Sequence, residues 1–216
     1  MPTPEQAQFW YRDADPVHDF AHVMRVYRMA ERLAAEEGAD LEIVRAAALL
    51  HDAQGSAPPG DGGEGAERAS HHHTSAEFAG QVLAAEGWRP ERIAAVQHCI
   101  RSHRFRDASE PPATLEAKIL FDADKLDVLG AIGAARTVAY AALDGQPFYT
   151  EPSQRFIETG TPEPGEPHSS YHEYIFKLRK IKDRLFTPTA RRLAEERDAY
   201  LAGFYARLAA EMRGEI

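Results

Sequence analysis

The chain has 216 residues, a formal charge of −9 with no Lys/Arg block, and one cysteine, Cys99. That balance lacks the positive footprint needed to hold a nucleic-acid backbone, so it argues against polymeric DNA or RNA, whereas a small anionic ligand needs only local cations in a cleft. A single thiol excludes an internal disulfide and any cysteine-based zinc site.

The length suits one well-buried core, and the even composition of the two halves predicts a single domain over residues 1–216. The opening stretch, MPTPEQAQFWYRD, has no apolar signal core, and no later stretch is long enough to span a bilayer. A cytoplasmic protein without a membrane partner is expected.

In chain order, Asp15-Pro16 predicts a helix start, with the helix running to about Glu37 and stopping at Gly38. His18, His22, Val26, Met29 and Leu33 share one side of it. Asp40 caps a second helix, LEIVRAAALLHD, whose second half is apolar on every side and is expected to be buried. Residues 55 to 67 are rich in Gly and Pro, which predicts a mobile loop or lid over the end of that helix. A helix from about 72 to 86 follows, and Pro90 opens another in which Ile93, Val96, Ile100 and His103 form a stripe that omits His98.

Residues 114 to 145 give the longest helical pattern. Residues 150 to 170 predict an irregular loop. Thr187-Pro188 opens a final helix with Leu193, Tyr200, Phe204 and Leu208 spaced to bury one face, and the C-terminal helices, about 171 to 213, are expected to pack on the core. No strand alternation and no internal repeat is visible, so the fold class is all-α. The final helix can serve its own domain or a second copy, leaving monomer or homodimer open.

Chemistry concentrates where the apolar run RAAALLHD ends. His51 there can act as a helix C-cap, and a histidine on an apolar stripe, such as His22, can be a satisfied core residue. Asp52 is different, because a carboxylate at a helix C-terminus meets the negative end of the dipole. An acidic cluster, FDADKLD, places Asp122, Asp124 and Asp127 in an otherwise apolar helix, where unpaired burial costs about several kcal/mol per charge. One divalent metal would satisfy both imidazoles and both carboxylates.

The order His22, then His51-Asp52, then an aspartate in an Ala-Asp-Lys setting resembles the HD-domain metal-dependent phosphohydrolases. HDFAHVMRV, LLHD, HHHTSAEFA, IRSHRF, LEAKILFDADKLDVLGAIGAAR and FKLRKIKDRLFTPTARRLAEER, over roughly residues 10 to 212, make the chain similar to the YpgQ/YedJ type. His18-Asp19 is a second His-Asp pair without the apolar approach and is set aside as a decoy or outer partner.

The resemblance implies a compact helical bundle with one divalent metal held by His22, His51, Asp52 and a further aspartate. Asp124 aligns with the Ala-Asp-Lys element and Asp122 is the alternative, which periodicity alone does not decide. Manganese is favoured, and Mg, Fe, Zn, Co and Ni are compatible with the donors. His73 and His103 match positions where related enzymes direct extra histidines at the metal. His71 and His72 have an equally good reading as a solvated polar turn.

The implied activity is hydrolysis of a small nucleotide, a (deoxy)nucleoside triphosphate, to monophosphate and pyrophosphate by a metal-activated water. Asp52, Lys125, His73 and His103 are the catalytic candidates. Arg25, Arg68, Lys125 and Lys180 are the candidates for binding phosphate. Some HD deoxynucleotidases carry a glutamate three residues after the metal-binding aspartate, and Gly55 stands there in this chain. That weakens the monophosphatase reading, and a general base from this region would come from the loop, as Asp61 or Glu64, or from the metal-bound hydroxide itself. A nucleoside monophosphatase or cyclic-nucleotide phosphodiesterase, or a sensor that only holds a nucleotide, are the competing functions.

Overall fold

A computed structural model describes residues 1–12, 19–54, 67–104 and 110–216. Its described residues are helical and contain no strand, in agreement with the all-α expectation. They form two compact units, residues 1–124 with 186–190 and residues 125–185 with 191–216. No single helix among them is long and apolar enough to cross a membrane.

The first unit starts with α1 (Pro4–Ala7), where Thr3 and Gln6 form a reciprocal capping box. A 3-10 turn, Gln8–Tyr11, continues it. Next comes α2 (Phe20–Glu37), which starts later than the Asp15-Pro16 signal predicts: Asp19 is its N-cap and accepts the His22 amide. Asp15 and Pro16 lie outside the described residues. Gly38 ends α2 in the left-handed region at φ 76°, where a side chain would be strained.

Asp40 caps α3 (Leu41–Leu50) as expected, accepting from the amides of Glu42 and Ile43. Val44 and residues 46 to 50 of α3 are buried, because α3 packs on α2, α5 and α4. The sequence from 55 to 66, read above as a lid, lies outside the described residues.

The following helix, α4 (Glu67–Ala85), is longer than predicted and contains His71, His72 and His73. Its buried stripe is His72, Ala76, Ala79 and Leu83. It packs along α5 (Pro90–Ser102), in which Val96 and Ile100 are buried. His98, off the stripe, joins Arg101 in holding Glu110, and its other ring nitrogen accepts the Ala113 amide.

The long pattern from 114 to 145 is two helices, α6 (Leu115–Leu126) and α7 (Gly130–Leu143). Glycine explains the break. Gly130 takes φ 69°, and a Cβ on Gly133 would lie 2.2 Å from the Val128 carbonyl oxygen. Periodicity cannot register such a local break.

In the second unit, α8 (Gln154–Thr159) forms inside the stretch read as an irregular loop, with Ser153 as its N-cap. Then come α9 (Ser170–Phe176), which packs on α7, and α10 (Pro188–Met212). The burial of α10 also differs from expectation. Leu201, Tyr205 and Ala209 are buried, whereas Tyr200 is 58% exposed. The inward face is set by Tyr205, which stacks on Tyr174 at 4.6 Å between ring centroids.

Candidate metal centre

The apolar end of α3 carries His51 into the first unit, where it is fully buried. Its Nδ1 lies 2.8 Å from the Ala48 carbonyl oxygen. A carbonyl only accepts, so the proton sits on Nδ1 and Nε2 keeps a free lone pair. That Nε2 is buried and has no hydrogen-bond partner.

Asp52 Oδ2 lies 3.4 Å from this lone pair and 3.9 Å from His22 Nε2, and His22 Nε2 lies 3.5 Å from Asp124 Oδ1. One ligand atom each from His22, His51 and Asp124 falls within 4.8 Å of the others. These are nitrogen and oxygen donors from three elements, α2, the end of α3 and α6. A neutral imidazole lone pair facing a carboxylate repels it unless a cation lies between them, so the residues fit a divalent metal.

Asp52 has a second set of neighbours. Its Oδ1, buried and without a hydrogen-bond partner, lies 3.5 Å from His71 Nε2 and 3.6 Å from His103 Nε2. Asp52, His71 and His103 form a second trio whose ligand atoms lie within 4.8 Å of one another. His103 Nδ1 donates to the Ile100 carbonyl, so its Nε2 also faces Asp52 as an acceptor. His72, buried behind His71, falls to about 4 through burial and then the neighbouring His73.

The structure thus brings together His22, His51, Asp52, Asp124 and His103 of the residues singled out in the sequence. Asp122 is elsewhere: it is fully buried, and its carboxylate accepts from the Phe186 amide, the Thr187 amide and the Thr187 hydroxyl. His73 differs from expectation, being exposed and lying against His72 at 4.1 Å between centroids. His71 takes the place expected for His73, because α4 begins before residue 71 and so turns the His71 ring toward Asp52, the His72 ring into the core and the His73 ring to solvent. The missed signal was the spacing His71, Ser75, Phe78, which continues the helix backward.

Arg25 is half-buried on α2, and Lys125 is half-buried on α6. Lys180 is exposed, with its ammonium 5.4 Å from the Phe176 ring centroid. Of Arg68 only the backbone, in α4, is described. His18, Gly55, Asp61 and Glu64 lie outside the described residues.

Comparison with known proteins adds to this geometry. The model of the HD domain family matches residues 19–129. The YpgQ protein of Bacillus subtilis (strain 168) is 31% identical over 217 residues, covering 97% of this chain and 94% of YpgQ. The crystal structure of Bacillus subtilis YpgQ in complex with ADP superimposes with a TM-score of 0.73 at 30% identity, over 98% of this chain and 99% of that one. An HD-superfamily hydrolase from Bacillus thuringiensis has a TM-score of 0.65 at 30% identity, over 91% of this chain and 87% of that one. With the family model covering more than half of its length, this chain belongs to the HD domain family.

Proposed function

We propose that the chain is a divalent-metal-dependent phosphohydrolase that cleaves (deoxy)nucleoside triphosphates to monophosphate and pyrophosphate. The observation that carries this reading is the pair of unpartnered buried acceptors, His51 Nε2 and Asp52 Oδ1, on adjacent residues. His22, His51, Asp52 and Asp124 would hold the ion, with manganese the favoured metal. Once bound, a divalent ion supplies Lewis acidity, which makes a water acidic near neutral pH and polarises a phosphoryl oxygen.

The chain's own residues account for the rest. His51, fixed through Nδ1, offers a lone pair of set direction. Asp52 gives Oδ2 to the His22 and His51 side and Oδ1 to His71 and His103. Those two histidines, on the Oδ1 side of Asp52, would be able to meet a phosphate oxygen through their ring nitrogens, and a protonated ring there would offset charge on the leaving pyrophosphate. Arg25 and Lys125 are assigned to the triphosphate by their charge and their nearness in sequence to His22 and Asp124, and Lys180 by its charge. The ADP bound to YpgQ supports a nucleotide as the ligand class.

The test is a panel of deoxynucleoside triphosphates given to metal-free protein with Mn, Mg or Zn restored. Pyrophosphate formed with metal by wild type, and absent with Asp52→Ala, is the expected result. Orthophosphate released from monophosphates, with triphosphates untouched, would replace this reading with a monophosphatase.

A further inference from the structure

The metal-site residues at the end of α3 depend on where that end is held. The last four carbonyls of a helix lack the i+4 amide that would satisfy them. Here the Ala48 carbonyl accepts from His51 Nδ1 and the Leu50 carbonyl from the Ala53 amide. The Leu49 carbonyl, two residues before His51, accepts from the Tyr11 hydroxyl at 2.9 Å.

Tyr11 comes from outside the residues that the HD family model matches. It ends the 3-10 turn after α1, is 4% exposed, and packs in a cluster with Ala7, Val23, Leu49 and Ala53. Phe20 lies beside its ring at 5.9 Å between centroids. The neighbouring Trp10 meets Phe78 of α4 edge-on at 5.4 Å, which ties the same segment to the helix that carries His71. On the far side of the His-Asp turn, Ser75 Oγ of α4 accepts the Gln54 amide.

The phenol also registers Asp52. Burial first, and the Asp52 carboxylate second, push its proton affinity well above the ordinary phenol range, while the Asp52 backbone amide acts in the opposite sense. Tyr11 is thus a neutral donor beside a metal-site carboxylate.

We propose that Tyr11 is a positioning residue for the metal centre: by holding the Leu49 carbonyl it fixes the end of α3, and with it the spacing of His51 Nε2 and Asp52. This rests on the reading that His51 and Asp52 hold a metal. Ligands must stay within about 0.5 Å of their working geometry. Loss of a group that orients metal ligands costs about 10- to 100-fold in metal affinity or activity.

The experiment titrates metal-free protein with Co(II), following the visible absorption of the bound ion, for wild type, Tyr11→Phe, Trp10→Leu and His51→Ala, with thermal unfolding measured alongside. Tyr11→Phe keeps the ring in its cluster and removes only the hydroxyl. The expected result is a Co(II) Kd raised about tenfold with an altered band shape, whereas Trp10→Leu, which loosens the same segment, lowers Tm and leaves Kd within about twofold. Wild-type Kd and spectrum in Tyr11→Phe would overturn the proposal and leave the hydroxyl a plain structural bond. Equal losses of affinity in Tyr11→Phe and Trp10→Leu would also overturn it, as a general effect of stability. Wild-type uptake that His51→Ala abolishes keeps the metal reading whatever Tyr11 does. Absent uptake, or uptake indifferent to His51→Ala, overturns both.

Discussion

Asp122 and Asp124 stand two residues apart on α6 and turn their carboxylates to different partners. Asp122 receives the Phe186 and Thr187 amides and the Thr187 hydroxyl, while Asp124 Oδ1 lies 3.5 Å from His22 Nε2. Thr187 Oγ1 in turn accepts the Ala190 amide in the first turn of α10. One carboxylate thus anchors the start of α10 and the other faces the candidate metal centre.

The two substitutions should therefore separate stability from metal binding. Asp122→Ala leaves buried amides unpaired and is expected to cost about 2–4 kcal/mol of stability, with metal affinity per folded molecule retained. Asp124→Ala is expected to weaken metal affinity by at least about a hundredfold with a far smaller fall in metal-free Tm. Urea unfolding and Co(II) titration of both proteins check this, and the reverse pattern would make Asp122 the ligand.

His71 and His73 provide a contrast within one helix. His73→Ala removes an exposed ring and should change stability by less than about 0.5 kcal/mol, with turnover unchanged. His71→Ala removes the ring that faces Asp52 Oδ1 and should lower kcat/KM by about a hundredfold. Metal stoichiometry sharpens the outcome: one equivalent in both variants fits His71 as a phosphate contact, and a second equivalent lost only in His71→Ala would make its trio a cation site.

Metal removal should be visible in the fold itself. A ligand that binds only the folded state at a free concentration of 100 times Kd stabilises by about 2.7 kcal/mol. Chelation of metal-loaded wild type is expected to lower Tm accordingly, and His51→Ala should show no response to the chelator. Equal responses in both proteins would place the metal elsewhere.

Acid sensitivity has a source away from the site. Arg101 grips Glu110 through Nε at 2.6 Å, and His98 adds a contact at 2.6 Å. Together, against the opposing effect of burial, they hold the carboxyl at about 2 instead of its ordinary 4.5. A carboxyl depressed by folding stabilises fully above its unfolded pKa, and that contribution fades as pH falls from about 4.5 toward 2. The urea midpoint of wild type should fall more steeply over this window than that of Glu110→Gln, and parallel declines would contradict the assignment.

Much of the site could be read from residue order, since an apolar run ending in His51-Asp52 has few places to go but inward. The choice between Asp122 and Asp124 was not legible, because it depends on Phe186 and Thr187, more than 60 residues away. His71 was missed for a local reason: with α4 started at residue 72, the phase of His71, His72 and His73 is undefined. The break between α6 and α7 escaped because glycine conformations leave no trace in hydrophobic period. Tyr11 was invisible for a different reason, as nothing in MPTPEQAQFWYRD reports that its phenol reaches Leu49.

Turnover in water enriched in oxygen-18 tests whether metal-dependent attack falls on the α-phosphorus of a triphosphate. Manganese-loaded wild type would be given a deoxynucleoside triphosphate panel and the products resolved by mass, with Asp52→Ala as the control. One labelled oxygen in the monophosphate, unlabelled pyrophosphate, and no products from Asp52→Ala are expected. Labelled orthophosphate or labelled pyrophosphate, or no triphosphate turnover by protein that binds manganese through His51, would contradict that attack.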